Sequence, residues 1–261
     1  MTTVAMQAPA AADAVPRRAS WISPIYLRAE LLRRRRSARL LVFTLGIPAL
    51  LFLSNSGDKG TSGGLDLVPY FMVSMATYGA LNSLLVNGSL ISLERAAGWN
   101  RQLRLTGLSG RQYLITKTTV GYITAIPGVI VVLILGATQG VHLSAARWIE
   151  VVLSILIALA PVAALGVLIG YAARPEAVQP LMGIGSALLS FLGGLFVPLD
   201  GAPTWIHVIA ESFPTYWAGK AGRSVLTGGW LGFEGLAIVI AWTIALSALA
   251  ARAYQRDGKR V

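Results

Sequence analysis

The chain has 261 residues, of which 55% are hydrophobic and 13% charged, with a mean hydropathy of +0.65 and a formal net charge of +11. That balance excludes an ordinary soluble domain, and the absence of cysteine excludes a disulfide framework and thiolate metal sites. The basic excess does not read as nucleic-acid binding, because Lys and Arg cluster in the gaps between apolar runs rather than on one folded face.

Residues 1–20 are rich in Ala, Pro and Thr and read as a disordered N-terminus. They lack the basic n-region followed by an apolar stretch that marks a secretory signal. From Trp21 onward apolar anchors (Ile25, Leu27, Leu31, Leu32) alternate with Arg28, Arg33, Arg34, Arg35 and Arg36, which predicts an interfacial amphipathic helix over 21–37. Its arginines either reach anionic membrane lipids or simply hold this end in the cytosol, and both roles are compatible.

Six apolar runs follow, near 38–54, 67–92, 115–137, 148–172, 178–199 and 231–252. Each is about long enough to cross roughly 30 Å of hydrocarbon at about 1.5 Å per helical residue. They are too continuously apolar for barrel strands. The expected fold is therefore an all-α integral membrane protein, with a six-helix transmembrane domain over 38–252 and a basic tail over 253–261. Gly46 and Pro48 should bend the first span.

Of the 22 Lys and Arg, only Lys59, Arg147, Lys220 and Arg223 fall in the first, third and fifth gaps. The bias puts both termini and the second gap in the cytosol. The spans are expected to hold no ionisable residue between their ends, which disfavours an ion-coupled carrier.

Two polar or small-residue faces stand out within the runs. Ser74, Tyr78, Asn82 and Ser89 share one side of the second, with Asn87 and Ser92 nearby; they line a substrate path or make interhelical hydrogen bonds. Gly183, Ser186, Ala187, Ser190 and Gly194 form a small-residue face on the fifth, suited to a contact with a second subunit or to packing within one.

The polar stretch Glu94–Lys117 lies between the second and third runs. Its first half has helical spacing, and Gly107 to Gly110 end it. It reads either as a cytosolic loop or as a short helix that presses on something outside the bilayer. No P-loop is present, since Gly219-Lys220 and Gly258-Lys259 lack both the earlier glycine and the following hydroxyl. Any ATPase must be a separate chain.

Glu94-Arg95, Gly98-Trp99, Arg101-Gln102-Leu103-Arg104-Leu105-Thr106, Leu108-Ser109, Tyr113 and Lys117 resemble the coupling-helix signature of type-2 ABC exporter permeases. Drug-resistance and lipid or polysaccharide export permeases belong to that family, and the resemblance runs along the whole chain. It implies a coupling helix at about 94–109, in which Glu94, Arg95, Gly98, Trp99, Arg101, Gln102, Leu103, Arg104 and Thr106 meet the ATP-binding subunit. The outer segment at about 198–230, with Val197-Pro198-Leu199, Pro203, Trp205-Ile206 and Phe213-Pro214-Thr215-Tyr216, is similar to the family's re-entrant helices. Where the family often has Pro after the Thr, Gly107 stands here.

The resemblance further implies alternating access powered by two copies of a separate ATP-binding subunit, which carry ATP and Mg, and a second permease half, identical or a sister. It implies a multi-pass protein of a bacterial cell membrane, with no catalytic site or metal on this chain. Two rivals are a secondary carrier and an intramembrane serine protease built on Ser186 and His207. The protease is disfavoured because His207 and His142 both fall in outer gaps. Apolar spans with few polar groups point to an amphipathic or hydrophobic cargo, such as a drug, antibiotic, lipid or lipid-linked glycan.

Overall fold

A computed structural model of the chain describes residues 24–35, 42–57, 60–62, 64–98 and 110–258. Helix α1 runs over Pro24–Arg35, with proline at its first position, where a missing N–H costs nothing. A π-helical turn at Val42–Gly46 leads into α2, Ile47–Asn55. Pro48 cannot donate to the carbonyl of Thr44, four residues earlier, and a wider turn lets the chain pass that gap. The irregular turn falls where a bend was expected. The Thr44 carbonyl lies close against neighbouring backbone: a Cβ on Gly128 would sit 2.6 Å from it, and one on Gly79 3.2 Å.

A two-residue hairpin, β1 (Thr61–Ser62) with β2 (Leu65–Asp66), pairs Thr61 with Asp66 and Ser62 with Leu65. It feeds α3, Leu67–Ala96, whose side chains are mostly buried. Gly98, at φ 71°, closes this helix by donating to the Arg95 carbonyl at 3.0 Å. Beyond residues 99–109 come α4 (Gly110–Thr138), α5 (Ala145–Ala158), α6 (Ala160–Ala172) and α7 (Pro175–Leu192). Two short helices, α8 (Thr204–Glu211) and α9 (Pro214–Leu226), precede α10 (Gly232–Gly258). Pro161 removes the N–H that would bond Ile157, and the chain relaxes at Leu159 (φ −85°, ψ 6°) between α5 and α6.

By length and composition, three helices are long and apolar enough to cross a membrane: Arg111–Thr138, Ala145–Ala172 with α5 and α6 taken together, and Gly232–Arg256. Thr44–Asn55 is a shorter apolar helix. Helix α3 is the centre of the bundle and packs on α2, α4, α6, α7 and α9, while α6 also packs on α10 and α9 on α5. The segment between α7 and α10 therefore folds back onto the bundle, with Trp217 and Thr215 of α9 buried.

One expectation fails. Lys117 lies inside the apolar helix Arg111–Thr138 and is fully buried, so that helix does hold an ionisable group. Its cost is met by partners described below.

The closest helix approach is α3 on α6. A Cβ on Gly88 would sit 2.0 Å from the Gly166 carbonyl oxygen, and one on Gly170 would sit 2.5 Å from the Gly88 carbonyl oxygen. These distances are not survivable without moving backbone, so Gly88 with Gly166-x-x-x-Gly170 is the small-residue contact that sets this crossing. Gly185 is the contrasting position, because a Cβ there would meet nothing within 4 Å. Gly88→Ala should destabilise the protein by about 1–3 kcal/mol through overpacking, while Gly185→Ala should be neutral or stabilise it by up to about 1 kcal/mol. Thermal melting in detergent reads both.

Candidate functional site

The bundle end at which α3 stops and α4 starts holds a knot of buried charge. Lys117 Nζ donates to Glu94 Oε1 at 2.6 Å and to Glu30 Oε1 at 2.7 Å. Burying an ammonium costs several kcal/mol, and one carboxylate contact at an effective dielectric near 20 offsets about 4 kcal/mol. The second carboxylate is what makes the position tenable. Tyr113 donates to the other Glu94 oxygen at 2.7 Å, and Tyr26 donates to Glu30 at 3.1 Å. The rings of Tyr26 and Tyr113 stack at 6.1 Å and flank the ammonium, 5.9 and 5.5 Å from it.

Arg33, on the exposed rim, bridges Glu30 at 3.1 Å and also reaches Glu94. Arg34 points inward, where it donates to the side-chain oxygen of Asn87; the Asn87 amide in turn donates to the Lys117 carbonyl. Arg34 Nε is buried without a hydrogen-bond partner. Burial pushes this guanidinium down, and the charge of Glu30 offsets part of that. Burial also works against the Glu94 carboxylate, but the Lys117 ammonium, with bonds from Lys117, Tyr113 and Arg33, holds it below the ordinary 4.5.

Helical phase explains the convergence. Tyr113 and Lys117 lie four apart on α4, and Tyr26, Glu30 and Arg34 recur at the same step on α1. Asn87 and Glu94 lie two turns apart on α3. Arg95, one residue on, faces another way. Its Nη1 donates to the Gly170 and Tyr171 carbonyls at 3.0 and 2.8 Å, and its guanidinium lies 5.2 Å from the Tyr171 ring centre. Ser92 donates to Ala173 at 3.1 Å. Together they satisfy the terminal carbonyls of α6, where a cation is also favoured by the helix dipole.

Of the coupling residues expected from the sequence, Glu94 and Arg95 sit in the last turn of α3 and Gly98 just beyond it. Trp99, Arg101, Gln102, Leu103, Arg104 and Thr106 lie outside the described residues. On the second run, Ser74 accepts from Arg223 at 3.0 Å, and Tyr78 meets Phe196 edge-on at 4.8 Å. Asn82 and Ser89 donate to carbonyls of their own helix, at Tyr78 and Val86. On α7, Ser186 and Ser190 are buried and donate within the helix, while Gly183 is exposed and Ala187 intermediate. Gly194 lies just past the helix in a left-handed conformation.

Sequence reasoning missed Glu30 and the pairing of Lys117. The available signal was that Glu30 is an isolated acid among arginines, placed in helical phase with Arg34.

A family model described as ABC-2 type transporter matches residues 24–227. The chain is also 25% identical over 218 residues to a Bacillus subtilis (strain 168) protein named "Putative transport permease YvfS", with 82% of this chain and 89% of that one covered.

Lys117→Met leaves two carboxylates facing each other and should cost about 3–5 kcal/mol. The combination with Glu30→Gln and Glu94→Gln should recover most of that, read by thermal unfolding in one detergent. Because Glu94 is held below its unfolded value, its contribution is present above about pH 4.5 and is lost as pH falls through the folded value. The stability gap between the wild type and Glu94→Gln should therefore close on acidification.

Proposed function

We propose, because the chain belongs to the ABC-2 type transporter family, that it is the membrane-spanning permease subunit of an ATP-driven exporter in a bacterial cell membrane. In this reading six spans cross the bilayer with both termini in the cytosol, and two ATP-binding subunits dock on the segment at about 94–109. ATP and Mg belong to those subunits. A second permease half, identical or a sister, completes the passage, through which an amphipathic or hydrophobic cargo moves by alternating access. The relative in Bacillus subtilis supports the bacterial membrane.

The observation that carries this reading is the knot of Glu30, Glu94 and Lys117. It locks the chain on both sides of the 97–109 segment, at Glu94 before it and at Tyr113 and Lys117 after it, and adds α1 to the same body. A push on a segment anchored to flexible chain would dissipate in the loop. Here it moves α1, α3 and α4 as one unit, which is what a bistable two-state element requires. ATP shifts the equilibrium only as far as it binds the two arrangements differently.

Buried ionisable groups are also what an ion-coupled carrier would need. Among the described residues, the buried acids Glu30 and Glu94 pair with Lys117 at one end of the bundle, and the buried Arg223 lies towards the other end, rather than at mid-depth. The spans still offer such a carrier no site midway along α3 among the described residues.

Arg101→Glu combined with Arg104→Glu should leave the protein inserted, weaken co-purification with the ATP-binding subunit and abolish substrate-stimulated ATPase activity in reconstituted vesicles. Unchanged co-purification, or transport driven by a proton gradient without ATP, would overturn the reading.

A further inference from the structure

At the opposite end of α3 a second polar assembly surrounds a cavity of about 260 Å³, lined by Ser62, Tyr70, Asp200, Tyr216, Lys220 and Arg223 among others. Tyr70 and Glu94 are separated by 24 residues of continuous helix, about 36 Å, so this cavity lies a bilayer's thickness from the knot. Arg223 is held in a built seat. Its guanidinium lies 4.5 Å from the centre of the Tyr70 ring, and Nη1 donates to the fully buried Ser74 at 3.0 Å. On the other side it rests on Gly219, where a Cβ would sit 2.8 Å from Nη1 and 3.1 Å from Nη2. Any other residue at 219 would displace it.

Lys220 is exposed and held by ring faces, 4.6 Å from Trp217 and 5.4 Å from Tyr216. The charged lining residues are thus two cations and Asp200, which accepts from Ser62; His207 lines the cavity as well. Tyr70 is committed to the Gly194 carbonyl at 2.7 Å and so keeps its ring in place. Burial works against the Arg223 charge, and Tyr70, Tyr216 and Asp200 offset only part of that.

We propose that this cavity binds the oxyanion headgroup, phosphate or carboxylate, of an amphipathic molecule, with Arg223 and Lys220 as its ligands. A guanidinium fixed in plane presents paired donors to an oxyanion, and a neighbouring ammonium adds a point charge. The volume admits a headgroup rather than a whole lipid, so the tail stays outside. Its meaning as a station on the exit side rests on the exporter reading; binding itself does not.

The test uses the full chain in phosphatidylcholine nanodiscs, titrated by calorimetry with dioctanoyl phosphatidic acid, decanoate, dioctanoylglycerol and inorganic phosphate. Phosphatidic acid or decanoate should bind saturably and the uncharged dioctanoylglycerol should not. Arg223→Gln should weaken binding about tenfold or more, the exposed Lys220→Gln about threefold to tenfold, and Arg223→Lys should fall between the wild type and Arg223→Gln. Equal binding of dioctanoylglycerol, or wild-type affinity in both Lys220→Gln and Arg223→Lys, overturns the site. Inorganic phosphate binding as tightly as phosphatidic acid reduces it to a free-ion site and overturns the amphiphile. Unchanged co-purification of the Arg101→Glu, Arg104→Glu protein with the ATP-binding subunit speaks against the exporter reading alone and leaves these titrations unchanged.

Discussion

A dry ammonium is the constraint around which one end of this molecule is arranged. Lys117 is fully buried, and nothing in the apolar part of α4 could hold its charge. Its two carboxylates come from elements far apart in sequence, Glu30 on α1 and Glu94 on α3. For both to reach it, α3 must continue past the end of its apolar run, and α1 must dock against the bundle rather than float in the headgroups. The ionic requirement of one side chain therefore dictates where three helices end, begin and meet.

The rest of the bundle is held without charge. Gly88 on α3 meets Gly166 and Gly170 on α6 backbone to backbone, where dispersion and close carbonyl contact replace the hydrophobic drive that lipid cannot supply. Away from these contacts the helices turn large apolar residues outward. Leu181, Ile184, Leu188 and Phe191 on α7, and Leu236, Ile240 and Ile244 on α10, are exposed at helical spacing. On a protein in water such stripes would be a liability, and against hydrocarbon they are the natural surface.

How much of this was legible follows from how local each signal is. The apolar runs over 115–137, 148–172 and 231–252 became long helices because continuous hydrophobicity is read within one segment. The wide turn before Pro48 was equally local, since it depends on one missing N–H. The knot was not local: Glu30, Glu94 and Lys117 each resemble an ordinary charge flanking a span, and only their meeting makes them exceptional. Lys117 and Arg223 both entered the charge count that oriented the chain, although one is buried in ion pairs and the other is seated against Tyr70. Gly88 looked ordinary in a polar stretch until its partner helix was known. Arg95 likewise gave no hint that it would cap α6.

Helix α3 has its only proline at position 69, in its first turn, and runs unbroken from there to Ala96. Without an internal kink it behaves as a stiff lever. A tilt of about 5° pivoting at one end of a rod about 36 Å long sweeps the other by about 3 Å, roughly the width of a water molecule. Small rotations imposed at the Glu94 end would thereby open or pinch a crevice beside Tyr70, with no relay of side chains in between.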